Sequence, residues 1–231
     1  MDVADLEKII DIKFNNQDLL VQALIHRSYL NENPDFRLKH HNERLEFLGD
    51  AVLELIVTEY LYAKYPNSEE GELTIWRASL VNTKMLSEKA TELKLNDFIL
   101  LSKGERKDTG RARQCIMANA FEAITGAIYL DQGVDVVKKF IERFLLPELP
   151  LILEKKAYRD AKSFFQERAQ DIVGITPSYE VLEEWGPDHA KTFKIGVFLE
   201  EELVAVGTGM SKQEAQQNAA EEGLNVKKWG E

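Results

Sequence analysis

The apolar residues of this chain change their spacing once, and that change limits it to two units of different architecture. Up to Leu146 they recur every three or four positions, the period of a helix face. Leu6, Ile9 and Ile10 begin the pattern, and Leu19, Leu20, Ala23 and Leu24 continue it. Asn42 to Tyr65 is a long amphipathic segment that ends before Pro66. Glu72 to Leu95 reads as another, with Leu73, Trp76, Leu80, Met85, Leu86 and Leu93 as its apolar positions. Cys115 to Leu130 is a third, and Val134 to Leu146 a fourth, stopped by Pro147. A polar, basic loop from Ser102 to Arg111 separates the second from the third.

Beyond Pro147 and Pro150 the pattern is different. Leu151 to Arg159 reads as a linker and Asp160 to Val173 as a helix, with Asp160 or Ser163 as its cap. The period then becomes two, the signature of half-buried strands. Tyr179 and Val181 alternate with acids, then Phe193, Ile195, Val197 and Leu199 alternate, and Leu203 to Val206 starts a third strand that Gly207 and Gly209 close. Ser211 caps a last helix whose apolar face is Ala215, Ala219, Ala220 and Leu224. The expected fold is therefore α+β and multidomain: an all-helical domain over 1–150, a linker over 151–159, and an α-β-β-β-α domain over 160–229.

Several classes are excluded early. No apolar run approaches the roughly 20 residues of a membrane span, and the acidic stretch from Met1 to Phe14 lacks the form of a secretory signal. Cys115 is the single cysteine, so no internal disulfide can form and a reducing, cytoplasmic location is expected. The net charge of −11 argues, taken alone, against a nucleic-acid binder. A local basic patch survives that objection, and carboxylates that bind cations add to the acid count.

The segment His41 to Leu53 carries the chemistry. On a helix of about 100° per residue, Glu43, Glu46 and Asp50 fall within a sector of about 60°. Leu45, Leu48, Val52, Leu55 and Ile56 fall opposite and are expected to pack inward. Gly49 costs about 1 kcal/mol against alanine in mid-helix, so a close backbone approach is its expected reason. Asn119 and Glu122 share a face of an otherwise apolar helix, where polar groups need partners. Such acids on an amphipathic helix are usually just a solvated face. A carboxylate in a buried-looking segment argues otherwise, because magnesium satisfies clustered oxygen ligands of this kind.

The run Asn42–Glu43–Arg44–Leu45–Glu46–Phe47–Leu48–Gly49–Asp50–Ala51–Val52–Leu53 resembles the ribonuclease III signature almost letter for letter. Ala23–Leu24–Ile25–His26–Arg27–Ser28, Glu70–Gly71–Glu72–Leu73–Thr74, Arg77–Ala78–Ser79–Leu80–Val81 and Phe121–Glu122–Ala123 through Tyr129–Leu130–Asp131 resemble the same family in the same order. The resemblance covers nearly the whole chain. It implies an endoribonuclease that hydrolyses double-stranded RNA with magnesium, or manganese in its place. The metal ligands implied are Glu46, Asp50, Asn119 and Glu122, with Asp50, Glu122 and Glu46 catalytic and Glu43 and Glu70 as auxiliary acids. It further implies a homodimer, 5′-phosphate and 3′-hydroxyl products with short 3′ overhangs, and processing of ribosomal RNA precursors and structured messenger RNAs. The family places an aspartate where this chain has Asn119, so one negative charge is lost. Weaker metal binding is expected. The alternative is a homologue that binds double-stranded RNA but cleaves it poorly or not at all. An unrelated helical metal hydrolase acting on small phosphates would leave the second domain unexplained.

The second domain resembles a double-stranded-RNA-binding domain through Lys162–Ser163–Phe164–Phe165–Gln166–Glu167, Pro177–Ser178–Tyr179, Gly186–Pro187–Asp188–His189, Phe193, Gly207–Thr208–Gly209 and Ser211–Lys212–Gln213–Glu214–Ala215. Such domains read A-form shape through 2′-hydroxyls and phosphates. By position, Gln166, Glu167 and Gln170 would meet one minor groove, His189 the next, and Lys212 the phosphates between. Tyr179 and Phe193 are expected in the core. Family members usually place two basic residues where this chain has Lys212–Gln213, and residues 157–231 hold 8 Lys/Arg against 14 Asp/Glu. Modest RNA affinity with a shallow salt dependence is expected, helped by dimeric avidity. The basic loop from Lys103 to Arg113 is either a source of further phosphate contacts or a solvated surface.

Overall fold

The computed structural model describes residues 3–154, 161–187 and 191–229. The chain divides into two compact units, Met1–Tyr158 and Arg159–Glu231.

The first unit is helical: α1 (Ala4–Ile10), α2 (Gln17–Ala23), α3 (Arg27–Glu32), α4 (Glu43–Lys64), α5 (Glu70–Val81), α6 (Thr83–Glu92), α7 (Arg111–Gln132), α8 (Val134–Phe144) and α9 (Leu149–Glu154). The spacing over 72–95 predicts one helix, but the structure has two. Asn82 takes extended dihedrals, φ −76° and ψ 158°, and its side chain accepts from the Met85 amide at 2.9 Å. An asparagine that can cap a new helix outcompetes continued apolar spacing. The linker expected at 151–159 also starts later. Leu151 to Glu154 belong to α9, with Ile152 buried in the core, and residues 155–159 lie outside the described residues.

The core forms around α7, where Ile116, Met117, Ala118, Ala120, Phe121, Ala123, Ile124, Ala127 and Ile128 are all buried. Leu45, Val52 and Ile56 of α4 pack inward as expected and Leu48 packs partly buried against them. Leu55, expected inside, is 65% exposed. One polar exception in this core is Lys89, which is buried. It is held by Glu92 at 2.8 Å and by Glu148.

The second unit has α10 (Ala161–Val173), an antiparallel sheet of β1 (Ser178–Trp185), β2 (Thr192–Leu199) and β3 (Glu202–Gly209) in that order, and α11 (Lys212–Lys227). Phe165 and Ala169 of α10, Val197 and Leu199 of β2, and Ala219, Ala220 and Leu224 of α11 form its core. Tyr179 packs against that core half-buried; Phe193 is half-buried but outside it. Gly209 ends the third strand as expected, and Gly207 lies within it. A Cβ on Gly207 would sit 2.1 Å from the Ala219 nitrogen, so the glycine lets α11 rest on the strand. Ser211 caps α11 by accepting from the Glu214 amide at 3.1 Å. Among the described residues no helix is long and apolar enough to cross a membrane.

Candidate active site

Helices α4 and α7 cross at two glycines. A Cβ built on Gly49 would lie 1.8 Å from the carbonyl oxygen of Glu122, and one on Gly126 would lie 2.3 Å from that of Leu45. No side chain fits at either position, so the backbones touch. This is the close approach that Gly49 signals in the sequence. Gly126 carries the same signal, a glycine inside a long helix, and sequence reasoning missed it.

The crossing sets the polar face of α4 against that of α7. Glu46 and Asn119 line one concavity, and the Asn119 amide is near enough to favour the charged form of the Glu46 carboxylate. Burial raises the Glu46 carboxyl above its ordinary range, the Glu43 charge adds to this, the Asn119 amide opposes it, and Asp50 adds again. Glu122 is more strongly affected. Burial first, then the charges of Asp50 and Glu46, push its carboxyl up to about 8. Glu46, Asp50, Asn119 and Glu122 thus form one electrostatic group drawn from two helices. Among the described residues, no three His, Cys, Asp or Glu side chains close into a finished metal cage. The donors are all hard oxygens, three carboxylates and one amide, which suits a magnesium-type ion.

Beside this group is a concavity of about 380 Å³ whose lining includes His26, Arg27, Glu43, Glu46, Cys115 and Asn119. Glu43 is exposed there, with Arg27 Nη1 at 3.7 Å and His41 Nδ1 at 3.8 Å. Glu70 is not brought to the same place. It stands at the start of α5, accepts from Thr74 Oγ1 at 2.9 Å, and lines a separate hollow with Thr58, Tyr62 and Arg77. At 1.5 Å per residue, that part of α4 lies roughly 12–18 Å beyond Asp50.

The basic loop is anchored near the concavity. The Ser102 amide donates to Ser28 Oγ at 3.1 Å and the Lys103 amide to Glu32 at 3.0 Å, before a short turn over Glu105–Lys107. Arg106 and Lys107 are exposed. In the second unit, Gln166, Glu167 and Gln170 are exposed on the outer face of α10, away from Phe165 and Ala169. Gln170 accepts from Thr176 Oγ1 at 3.2 Å. Lys212 opens α11 with its ammonium 5.8 Å from the centre of the Phe193 ring. His189 lies outside the described residues.

A helical unit that crowds carboxylates onto a tight helix crossing, followed by an α-β-β-β-α unit, defines a two-part enzyme of the nuclease class. Comparison with known proteins makes this specific. Residues 16–149 match the ribonuclease-III-like family model, and residues 161–227 match the double-stranded RNA binding motif. Ribonuclease 3 from a Nitratiruptor species is 42% identical over 97% of this chain and 96% of its own. That of Geobacillus kaustophilus is 44% identical over 96% of this chain and 89% of its own. The nuclease domain of ribonuclease III from Campylobacter jejuni, described for flexibility in its dimer-forming region, superposes with a TM-score of 0.58 at 40% identity, over 64% of this chain and 99% of that one. The chain belongs to the ribonuclease III family of metal-dependent nucleases and is an endoribonuclease with a double-stranded-RNA-binding domain.

Proposed function

We propose that this chain hydrolyses double-stranded RNA with magnesium, with manganese as a working substitute, and leaves 5′-phosphate and 3′-hydroxyl ends with short 3′ overhangs. The observation that carries the proposal is the convergence of Glu46, Asp50 and Glu122 at the Gly49–Gly126 crossing. The first unit, expected over 1–150 and extended by α9 to Glu154, is the nuclease and dimerisation domain, and 160–229 is the RNA-binding domain. Glu46, Asp50, Asn119 and Glu122 would hold the metal, which would supply activation of a water molecule and charge stabilisation for the leaving 3′ oxygen. The chain's own task is to hold oxygen donors in place. Asp50, Glu46 and Glu122 are the catalytic ligands, and Asn119 is a neutral fourth that also orients Glu46. Glu43 edges the concavity as an auxiliary acid. Glu70, in its separate hollow within one chain, serves as a further auxiliary acid.

Homodimerisation has independent support on α4. Phe47, Leu55 and Tyr62 are 81%, 65% and 75% exposed and form an apolar stripe beside the acidic one. A second copy covering that stripe would extend the acidic groove and allow one cut in each strand. On the second unit, Gln166, Glu167 and Gln170 would face one minor groove and His189 the next, with Lys212 on the phosphates between. Ribosomal RNA precursors and structured messenger RNAs in the cytoplasm are the substrates proposed.

The second reading, a homologue that binds duplex RNA but cleaves it poorly or not at all, rests on Asn119. A surface used only for binding gains nothing from a half-buried carboxyl aimed at phosphates, which disfavours it. Incubation of the protein with a long RNA duplex and magnesium decides between them. Short duplexes are expected; an intact, bound duplex would overturn the cleavage reading.

A further inference from the structure

His26 belongs to a motif that the metal chemistry leaves without a task. It precedes α3 in an extended conformation, φ −75° and ψ 146°, and caps that helix with its ring. Its backbone is held firmly. The His26 amide donates to Leu100 O at 3.1 Å, and the amide of Asn42, the residue that starts the acidic helix, donates to Ile25 O at 2.9 Å. The imidazole therefore has a set position relative to Glu43 and Glu46.

The ring's hydrogen bonds determine its tautomer. Nδ1 accepts from the Ser28 amide at 3.4 Å and lies 2.8 Å from Ser28 Oγ. That hydroxyl oxygen already accepts from the Ser102 amide at 3.1 Å, so its hydrogen is free to point at Nδ1. Nδ1 is an acceptor, and the proton of the neutral ring sits on Nε2. Burial foremost keeps the ring below the ordinary histidine range. Arg27 and His41 act with it, while Glu105 and Glu43 oppose it. Among the described residues, Nε2 has no hydrogen-bond partner. The ring lines the concavity that Glu46, Cys115 and Asn119 also line.

A cap alone does not call for histidine, because asparagine, aspartate and serine cap better. What imidazole adds is a neutral N–H donor in a groove of acids. A cation in that position is drawn to the carboxylates, as Arg27 is to Glu43 at 3.7 Å. A neutral donor stays available to a ligand that the acids repel. We propose that His26 donates a hydrogen bond from Nε2 to a backbone phosphate of the RNA strand lying in this concavity and so positions that strand for cutting. The inference rests on the duplex-cleavage reading above.

The test compares the unmodified protein, His26→Asn and His26→Ala, each cutting duplexes that carry one neutral methylphosphonate at successive phosphates around the cut. His26→Asn keeps a capping acceptor and withdraws the donor from the position that Nε2 reaches, because its amide is shorter than the imidazole. It is expected to slow cleavage roughly ten- to hundredfold, the range for a hydrogen bond to a charged group. At one phosphate the methylphosphonate should slow the unmodified protein and add nothing to His26→Asn. Independent effects at every phosphate, or an unchanged rate, overturn the proposal. A measurement on the unmodified protein needs no folded variant. The ¹⁵N spectrum of histidine-labelled protein, assigned by through-bond correlation, should show His26 protonated on Nε2 and shifting when duplex is added without metal. Protonation on Nδ1, or no shift, overturns the proposal. An unmodified protein that cuts no duplex overturns the cleavage reading itself; cutting without coupling at His26 overturns only this inference.

Discussion

At the crossing of α4 and α7 a Cβ on Gly49 would lie 1.8 Å from the Glu122 carbonyl oxygen, and under the sheet of the second unit a Cβ on Gly207 would lie 2.1 Å from the Ala219 nitrogen. Both glycines let two elements touch at the backbone, but the two contacts bring different things with them. The first draws Glu46 and Glu122 partly out of water, so that charge accumulates where solvent cannot fully screen it. The second packs over an apolar cluster, Phe165, Val197 and Ala219 among its members, and leaves Gln166, Glu167, Gln170 and Lys212 exposed. Reaction chemistry needs electrostatic stress that a cation can relieve. Recognition of a long, regular ligand needs solvated groups at set spacings. The close contact serves the first purpose directly and the second only as scaffold.

The largest effect expected from this contrast comes from the glycines. Gly49→Ala should cost about 3 kcal/mol or more and abolish cleavage. Gly207→Ala should lower the thermal transition of the second unit and leave that of the first in place. Calorimetry of the two variants checks the pair; one shared transition affected equally by both would break the contrast.

Next in size is Glu122→Gln, which should cut cleavage by at least a hundredfold, by roughly the 2.7 kcal/mol equivalent, while stabilising the metal-free protein. The folded carboxyl is raised to about 8 from an ordinary 4.5. The unmodified fold therefore keeps its full stability below that lower value, loses it as pH rises through the window, and loses no more above the upper value. The variant should melt a few degrees higher than the unmodified protein at pH 9 in a chelator, at roughly 2–4 °C per kcal/mol, and no higher at pH 4. A variant less stable at pH 9 would show that the Glu122 charge is not under stress.

Asn119→Asp restores a charge to the same group. The magnesium needed for half-maximal cleavage should fall by roughly tenfold, the lower end of what changes around metal ligands produce. An unchanged requirement would remove position 119 from the ligand set. The smallest effects belong to the solvated contacts. Lys212→Ala should weaken duplex binding several-fold and reduce the salt slope by about one unit. Arg106→Glu with Lys107→Glu tests the basic loop in the same way, and binding that ignores both would make that loop a solvated surface.

Much of this was legible in the amino-acid pattern, where local chemistry decides. The carboxylate face of α4 follows from helix geometry, the role of Gly49 from its cost in mid-helix, and the cap at Ser211 from its position before an apolar face. Where the reading went wrong, a local competitor or a neighbour outweighed the period. Asn82 split one expected helix into two, and Leu55 turned outward from a face expected to be buried. Ile152 extended the helical core into the expected linker.

What the sequence by itself determined is the pair of architectures and the identity of the oxygen donors, because periodicity and side-chain chemistry act within a few residues. That Glu46 and Glu122 share one field, that Glu70 stands apart from them, and that His26 lines the same concavity as Glu46 were decided only by tertiary structure. Residues 76 positions apart, as Glu46 and Glu122 are, meet only because two glycine-bearing helices lie close enough for their backbones to touch. No local propensity encodes that distance.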